Sequence, residues 1–214
     1  MNKAMNRAKL VFIVLIGFMA GPLQADFFGL ANGRTANMDN LANMSVEGGV
    51  NLKSDFNTFG ARLNYKLSPD LVLFGDLGQS NFGAASGFSY GVGAYFQLRN
   101  VTLLENTDFA VKGSYHGGNL TIDGCDNNAF GVFFEEICDF NASELTIEAL
   151  ISGDQLGSTD FAWYANAGWH NFDYGSELGF GGGIVGNLSF GDWFAGIDVI
   201  DQFFLVAGVR YNIN

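Results

Sequence analysis

From Asn43 onward, apolar residues alternate with polar residues or glycine with few interruptions. Successive side chains of an extended strand point to opposite faces, so this period of two requires strands whose faces meet different surroundings. Helical periodicity is nearly absent. The clearest run is Thr58 to Leu67, where Phe59, Ala61, Leu63, Tyr65 and Leu67 share one face and Thr58, Gly60, Arg62, Asn64 and Lys66 share the other.

The same template predicts ten strands: Met44 to Leu52, Thr58 to Leu67, Leu71 to Leu77, Phe88 to Leu98, Phe109 to His116, Leu145 to Ile151, Phe161 to Trp169, Leu178 to Phe190, Trp193 to Val199 and Phe203 to Ile213. The third is ambiguous, because Val72 and Phe74 put apolar residues on both of its faces. Merging it and one other segment gives eight strands instead. Pro69 is the one proline after residue 25, and it falls between two predicted strands, where its fixed φ suits a turn. Short connections such as Ser68 to Asp70 and Gly191-Asp192 contrast with a long one from about Asn119 to Ser143. A transmembrane barrel has such an asymmetry, short periplasmic turns against longer outer loops.

A soluble barrel also alternates, but it buries its apolar face and shows water a charged one. Here charge avoids the apolar register altogether. Six bases, Lys53, Arg62, Lys66, Arg99, Lys112 and Arg210, fall in the polar register of a strand, together with Glu47, Asp76, Glu148 and Asp198. Aromatic residues bracket the apolar faces: Phe88 and Phe96, Phe161 and Trp169, and Phe203 and Tyr211 are eight positions apart. Eight residues of tilted strand climb roughly 20 Å, close to the apolar band of a membrane barrel. The predicted fold is therefore all-β, an antiparallel up-and-down transmembrane β-barrel over 44–214 with an inward charged set of Glu47, Arg62, Lys66, Asp76, Lys112, Glu148, Asp198 and Arg210.

Residues 1–25 read as a cleaved signal peptide. Lys3, Arg7 and Lys9 precede an apolar run from Leu10 to Gly21 that is too short to span a membrane, followed by Pro22 and the small residue Ala25. Residues 26–43 are then expected to be a periplasmic amino-terminal segment. Removing the leader leaves 22 acidic residues against seven basic ones, a balance that repels nucleic acid. Export would place Cys125 and Cys138 in an oxidising compartment, where a lone pair is expected to form one disulfide clipping the long loop. Two free thiols are the alternative, and no histidine or third cysteine stands nearby to suggest a metal.

On this pattern and its last strand, the chain from about Met44 to Asn214 resembles the small Gram-negative outer-membrane β-barrel proteins, the OmpA-like transmembrane barrels and similar eight- to ten-stranded surface barrels. The resemblance implies an outer-membrane location, lipid and the barrel assembly machinery as partners, and a monomer. Such families usually end on an aromatic residue; this chain ends Tyr211-Asn212-Ile213-Asn214.

Chemical motifs are few, and no cofactor is expected. Gly181-Gly182-Gly183-Ile184-Val185-Gly186 fits G-x-G-x-x-G but lacks the following helix that a dinucleotide site needs, so its glycines are read as room for bulky neighbours such as Tyr95, Phe194 or Phe204. His116 and His170 are the ready general bases near neutral pH, and with Ser114, Ser176 and Glu177 they allow a hydrolase on the barrel rim; solvated rim histidines are the plainer reading. The inward charges could pair into a plug or line a narrow aqueous path. Three functions follow: a noncatalytic surface barrel with an acidic, disulfide-clipped loop, a narrow channel for small solutes or ions, and a rim hydrolase.

Overall fold

The computed structural model describes residues 30, 33–39, 41–53, 56–83, 85–101, 104–122, 138–157, 160–173, 175–200 and 202–213. The expected signal peptide, Cys125 and most of the long loop lie outside them. Ten strands are present: β1 Met44–Leu52, β2 Asn57–Ser68, β3 Leu71–Phe82, β4 Ala85–Gln97, β5 Asp108–Ile122, β6 Asp139–Gly153, β7 Ala162–Phe172, β8 Gly175–Leu188, β9 Gly191–Ile200 and β10 Gln202–Ile213. Each pairs antiparallel with its neighbours in sequence, and β1 pairs with β10 to close the barrel. Closure leaves no strand edge unpaired, the condition for a sheet in lipid.

All ten expected strands form, and several run longer than the alternation indicated. β3 continues to Phe82 through Gly75 and Gly78. β5 and β6 extend their ladder to Thr121 and Asp139, so the long connection is shorter at both ends than Asn119 to Ser143. Both strand termini sit at one mouth with the 69–70, 98–107, 154–161 and 189–190 connections, while those at 53–56, 83–84, 123–138, 173–174 and residue 201 lie at the other. The expected asymmetry of connections is only partial: the far mouth holds the long 123–138 connection, but the terminal mouth has two of middling length. Gly83 turns β3 into β4 with φ 66°, a left-handed conformation that glycine adopts without penalty.

The faces follow the predicted register. Phe59, Leu77, Val92, Ile147, Leu178, Leu205 and Tyr211 point outward and are exposed, while Arg62, Asp76, Tyr95, Lys112, Leu150 and Phe204 point inward and are buried. The ambiguous β3 resolves the same way, with Leu73 and Leu77 outside and Val72 and Phe74 in the lumen. Its two apolar faces have separate causes, lipid on one side and aromatic packing on the other. Phe74 and Tyr95 pack with ring centroids 5.1 Å apart, and Phe204 meets Phe56 edge-on at 5.7 Å.

Candidate functional site

The outer surface carries an unbroken field of exposed large apolar side chains on every strand, with exposed aromatics at both ends: Tyr65, Phe96, Phe190 and Tyr211 near the terminal mouth, and Phe59, Phe88, Trp169 and Phe203 near the far one. A soluble protein does not sustain an apolar patch that encircles it; a bilayer requires one. The chain is a transmembrane β-barrel. What distinguishes it chemically is therefore what the barrel encloses.

The lumen holds one continuous row of polar side chains that strand pairing builds directly. Arg210 on β10 is the register partner of Glu47 on β1, Glu47 of Arg62 on β2, and Arg62 of Asp76 on β3. Arg210 Nε donates to Glu47 Oε1 at 2.7 Å, and its Nη1 donates to Asp192 at 3.0 Å. Arg62 grips Asp76 with two bonds, 2.6 Å from Nε and 2.7 Å from Nη2, and its Nη1 donates to the Tyr95 hydroxyl at 3.1 Å. Its guanidinium lies over the Phe74 ring at 4.3 Å. Bidentate geometry of this kind is the strong form of the pair, and burial makes it obligatory.

The row crosses β4 at Gly91, where an added Cβ would collide with the His116 ring. Without that side chain, His116 on β5 reaches over β4 to Asp76 Oδ2, 2.9 Å from its Nε2. The row ends at Glu144 on β6, whose Oε1 lies 2.7 Å from His170 Nδ1. A second group sits beside it: Lys112 Nζ donates to Glu148 at 2.6 Å, and Asn166 donates to Glu148 at 2.9 Å and to Asp198 at 3.5 Å. Gly208 and Gly33 leave the space that the Phe194 ring fills, whereas Gly181 and Gly183 of the glycine run face Asp198, Asn166 and the Tyr164 hydroxyl and not Tyr95, Phe194 or Phe204.

Of the eight expected inward charges, seven are buried together; Lys66 is half-buried at the terminal mouth. Arg210 meets Glu47. Two expectations are corrected. His116 and His170 are not solvated rim residues: each is 1% exposed and bonded to a carboxylate inside the barrel. The rim grouping of Ser114, His116, His170 and Glu177 is thereby removed, since Ser114 is buried as well and its Oγ has no hydrogen-bond partner among the described residues.

The second correction concerns residues 26–43, expected as a periplasmic lead-in. Their described part runs inside the barrel: Leu30, Gly33, Arg34, Ala36 and Met38 are all buried. Wall side chains hold its backbone. Arg62 Nη2 donates to the Leu30 carbonyl at 2.6 Å, Arg210 Nη2 to the Gly33 carbonyl at 2.7 Å, and Lys66 Nζ to the Met38 carbonyl at 2.6 Å. In the other direction, Ala36 N donates to Ser152 Oγ at 2.8 Å and Met38 N to Gln97 Oε1 at 3.0 Å. Arg34 Nη2 donates to Asn64 at 2.6 Å and Glu47 at 3.1 Å.

The segment leaves through the terminal mouth, where Asp39 receives two bonds from Arg99, at 2.7 and 3.2 Å, and Arg99 also bonds Asp70. These hydrogen bonds hold the Asp39 carboxyl below its ordinary value and raise Arg99 above its own. Arg34 and Glu144 were not among the inward charges read from the sequence. Arg34 is the one base after residue 25 outside the expected strand pattern, which was the available signal, and Glu144 stands one residue before the predicted start of its strand.

No protein-family description and no curated protein matches the chain. Among solved structures it is similar to the N-terminal β-barrel domain of Pseudomonas aeruginosa OprF, at 15% identity and a TM-score of 0.40, covering 80% of this chain and 98% of that one. It is also similar to the KdgM porin, at 7% identity and a TM-score of 0.47, covering 79% and 99%. A KdgM porin in complex with disordered oligogalacturonate gives 6% identity and a TM-score of 0.41.

Proposed function

We propose that the protein is a noncatalytic barrel of the Gram-negative outer membrane, closed along its axis, that serves the envelope or an outside partner through its acidic β5–β6 connection. One observation carries the reading: the lumen is occupied by the chain's own segment, with Leu30 and Gly33–Met38 packed among paired charges. A filled lumen leaves the surface as the place of function. The β5–β6 hairpin is the feature that projects there, because its ladder runs on to Thr121 and Asp139.

From Asp123 to Asp139 the sequence carries five acidic residues and no basic one, so the connection is suited to cations or a basic partner surface. A Cys125–Cys138 disulfide would shorten it. Cys138 is buried at the base of the hairpin, where its carbonyl accepts from Ile122 N at 2.8 Å. A leader cleaved after Ala25 and a monomeric barrel complete the proposal.

Deleting 123–137 together with Cys138→Ser tests it. The variant should still migrate as a compact band on unboiled gels and fractionate with outer membranes, while cells producing it lose the envelope or adhesion phenotype of the intact protein. Loss of the barrel on that deletion, or a phenotype unchanged from the intact protein, counts against the assignment.

A further inference from the structure

We propose that the segment whose described residues are Leu30 and Gly33–Asp39 is a removable plug, and that the lumen it vacates conducts small inorganic cations. This rests on the reading of the barrel as membrane-spanning and adds an activity to it. The first ground is how the segment is held. The described bonds that tie Leu30, Gly33, Ala36 and Met38 to the wall are made by wall side chains, while the ten strands close on one another without it. Its departure breaks no ladder, and every wall group that it leaves can bond water instead.

Arg34 supplies the second ground. Its guanidinium is buried over the Tyr95 ring, 4.6 Å from the centroid, yet only Nη2 is bonded; Nε and Nη1 have no hydrogen-bond partner among the described residues. A buried cation with two unmet donors gains both when it reaches water. Glu47 does not lose its charge partner when Arg34 goes, because Arg210 remains 2.7 Å away. The plug is thus held strongly enough to be ordered and incompletely enough to be released.

The third ground is the sign of the wall left behind. Glu144, Glu148 and Asp198 line the β6 and β9 side of the lumen, with Lys112 as the lysine paired there. With His116 and His170 neutral, that side is net negative. On the opposite side Arg62 and Arg210 are each tied to carboxylates, Arg62 to Asp76 and Arg210 to Glu47 and Asp192. An acidic wall of low dielectric concentrates cations and repels anions. The space released is that of one chain segment, about 5 by 10 Å in section, enough for a partly hydrated monovalent ion.

The test is planar-bilayer recording in a KCl gradient on the full chain, on Arg34→Glu, which sets a carboxylate beside Glu47, and on a chain lacking 26–38. Heat-dependent gel mobility verifies folding of each. The full chain should be closed with rare openings. Both variants should raise open probability at least tenfold, with a reversal potential on the potassium side. Folded variants as silent as the full chain, or a reversal potential on the chloride side, overturn the proposal, as does an Arg34→Glu chain that cannot fold when the full chain does. A full chain that conducts continuously overturns instead the closed-lumen reading, and the plug with it.

Discussion

Replacing Arg62 by methionine keeps the length of the side chain and removes the charge, which strands Asp76 inside the barrel. Asp76 loses both guanidinium bonds, at 2.6 and 2.7 Å, and keeps His116 Nε2 at 2.9 Å. Hydrogen bonds to charged groups contribute about 1.5–3 kcal/mol each, and removing one partner of a buried pair costs about 3–5 kcal/mol. The Leu30 carbonyl and Tyr95 hydroxyl also lose their donor. Because His116 remains, the expected loss is about 3–4 kcal/mol. The double variant Arg62→Met, Asp76→Leu removes the stranded charge and should recover most of it, ending within about 1.5 kcal/mol of the parent. Urea unfolding in lipid vesicles, followed by tryptophan fluorescence, measures both. A loss below about 1 kcal/mol in the single variant, or a double variant as unstable as the single one, would refute the paired-row account.

Three further outcomes follow from the same structure. Gly91→Ala puts a methyl group into the His116 ring and should destabilise by about 1–3 kcal/mol in the same unfolding assay, with His116→Ala in the same chain relieving part of the loss; an unchanged midpoint would contradict the crossing over β4. The Asp39 carboxyl is held below 3.8 chiefly by its hydrogen bond to Arg99, so the stabilising contribution of this clasp is present above that ordinary value and disappears as pH falls through the lowered one; in Arg99→Ala the Asp39 titration followed by NMR should move up toward 3.8. Phe194→Ala should cost about 3–5 kcal/mol, because the ring fills space beside Gly208 and Gly33 and its loss leaves a cavity on both wall and plug.

The barrel was legible because membrane and lumen impose opposite demands on alternate residues of every strand. Arg62, Lys112 and Arg210 fell into the inward register on that basis alone, and ten strands with that register are what form. The ends were less legible. Once a strand passes the apolar band, its outward side chains no longer need to be apolar, so alternation fades while pairing continues, as in β5 beyond His116. The interior was the least legible part. The described residues 30 and 33–39 form no strand and show no alternation; their Gly, Ala, Asn and Thr content, which reads as an exposed linker, also suits a chain threaded through a narrow space. The histidines were misplaced for a related reason. β5 runs on to Ile122 and β7 to Phe172, so both histidines sit deeper than strand ends at His116 and Trp169 implied, and barrel tilt and Gly91 bring His116 over to Asp76, which is not visible along a single strand.

The central claim, a closed barrel whose outer face meets lipid, is tested most directly by the protein's own tryptophans. Trp163, Trp169 and Trp193 all lie in the outward register near the two mouths, so in vesicles their fluorescence should be quenched by bromine on the acyl chain, and more strongly by bromine near the headgroup end than near the methyl end. Fluorescence that aqueous acrylamide quenches and brominated lipid leaves unchanged would contradict the account.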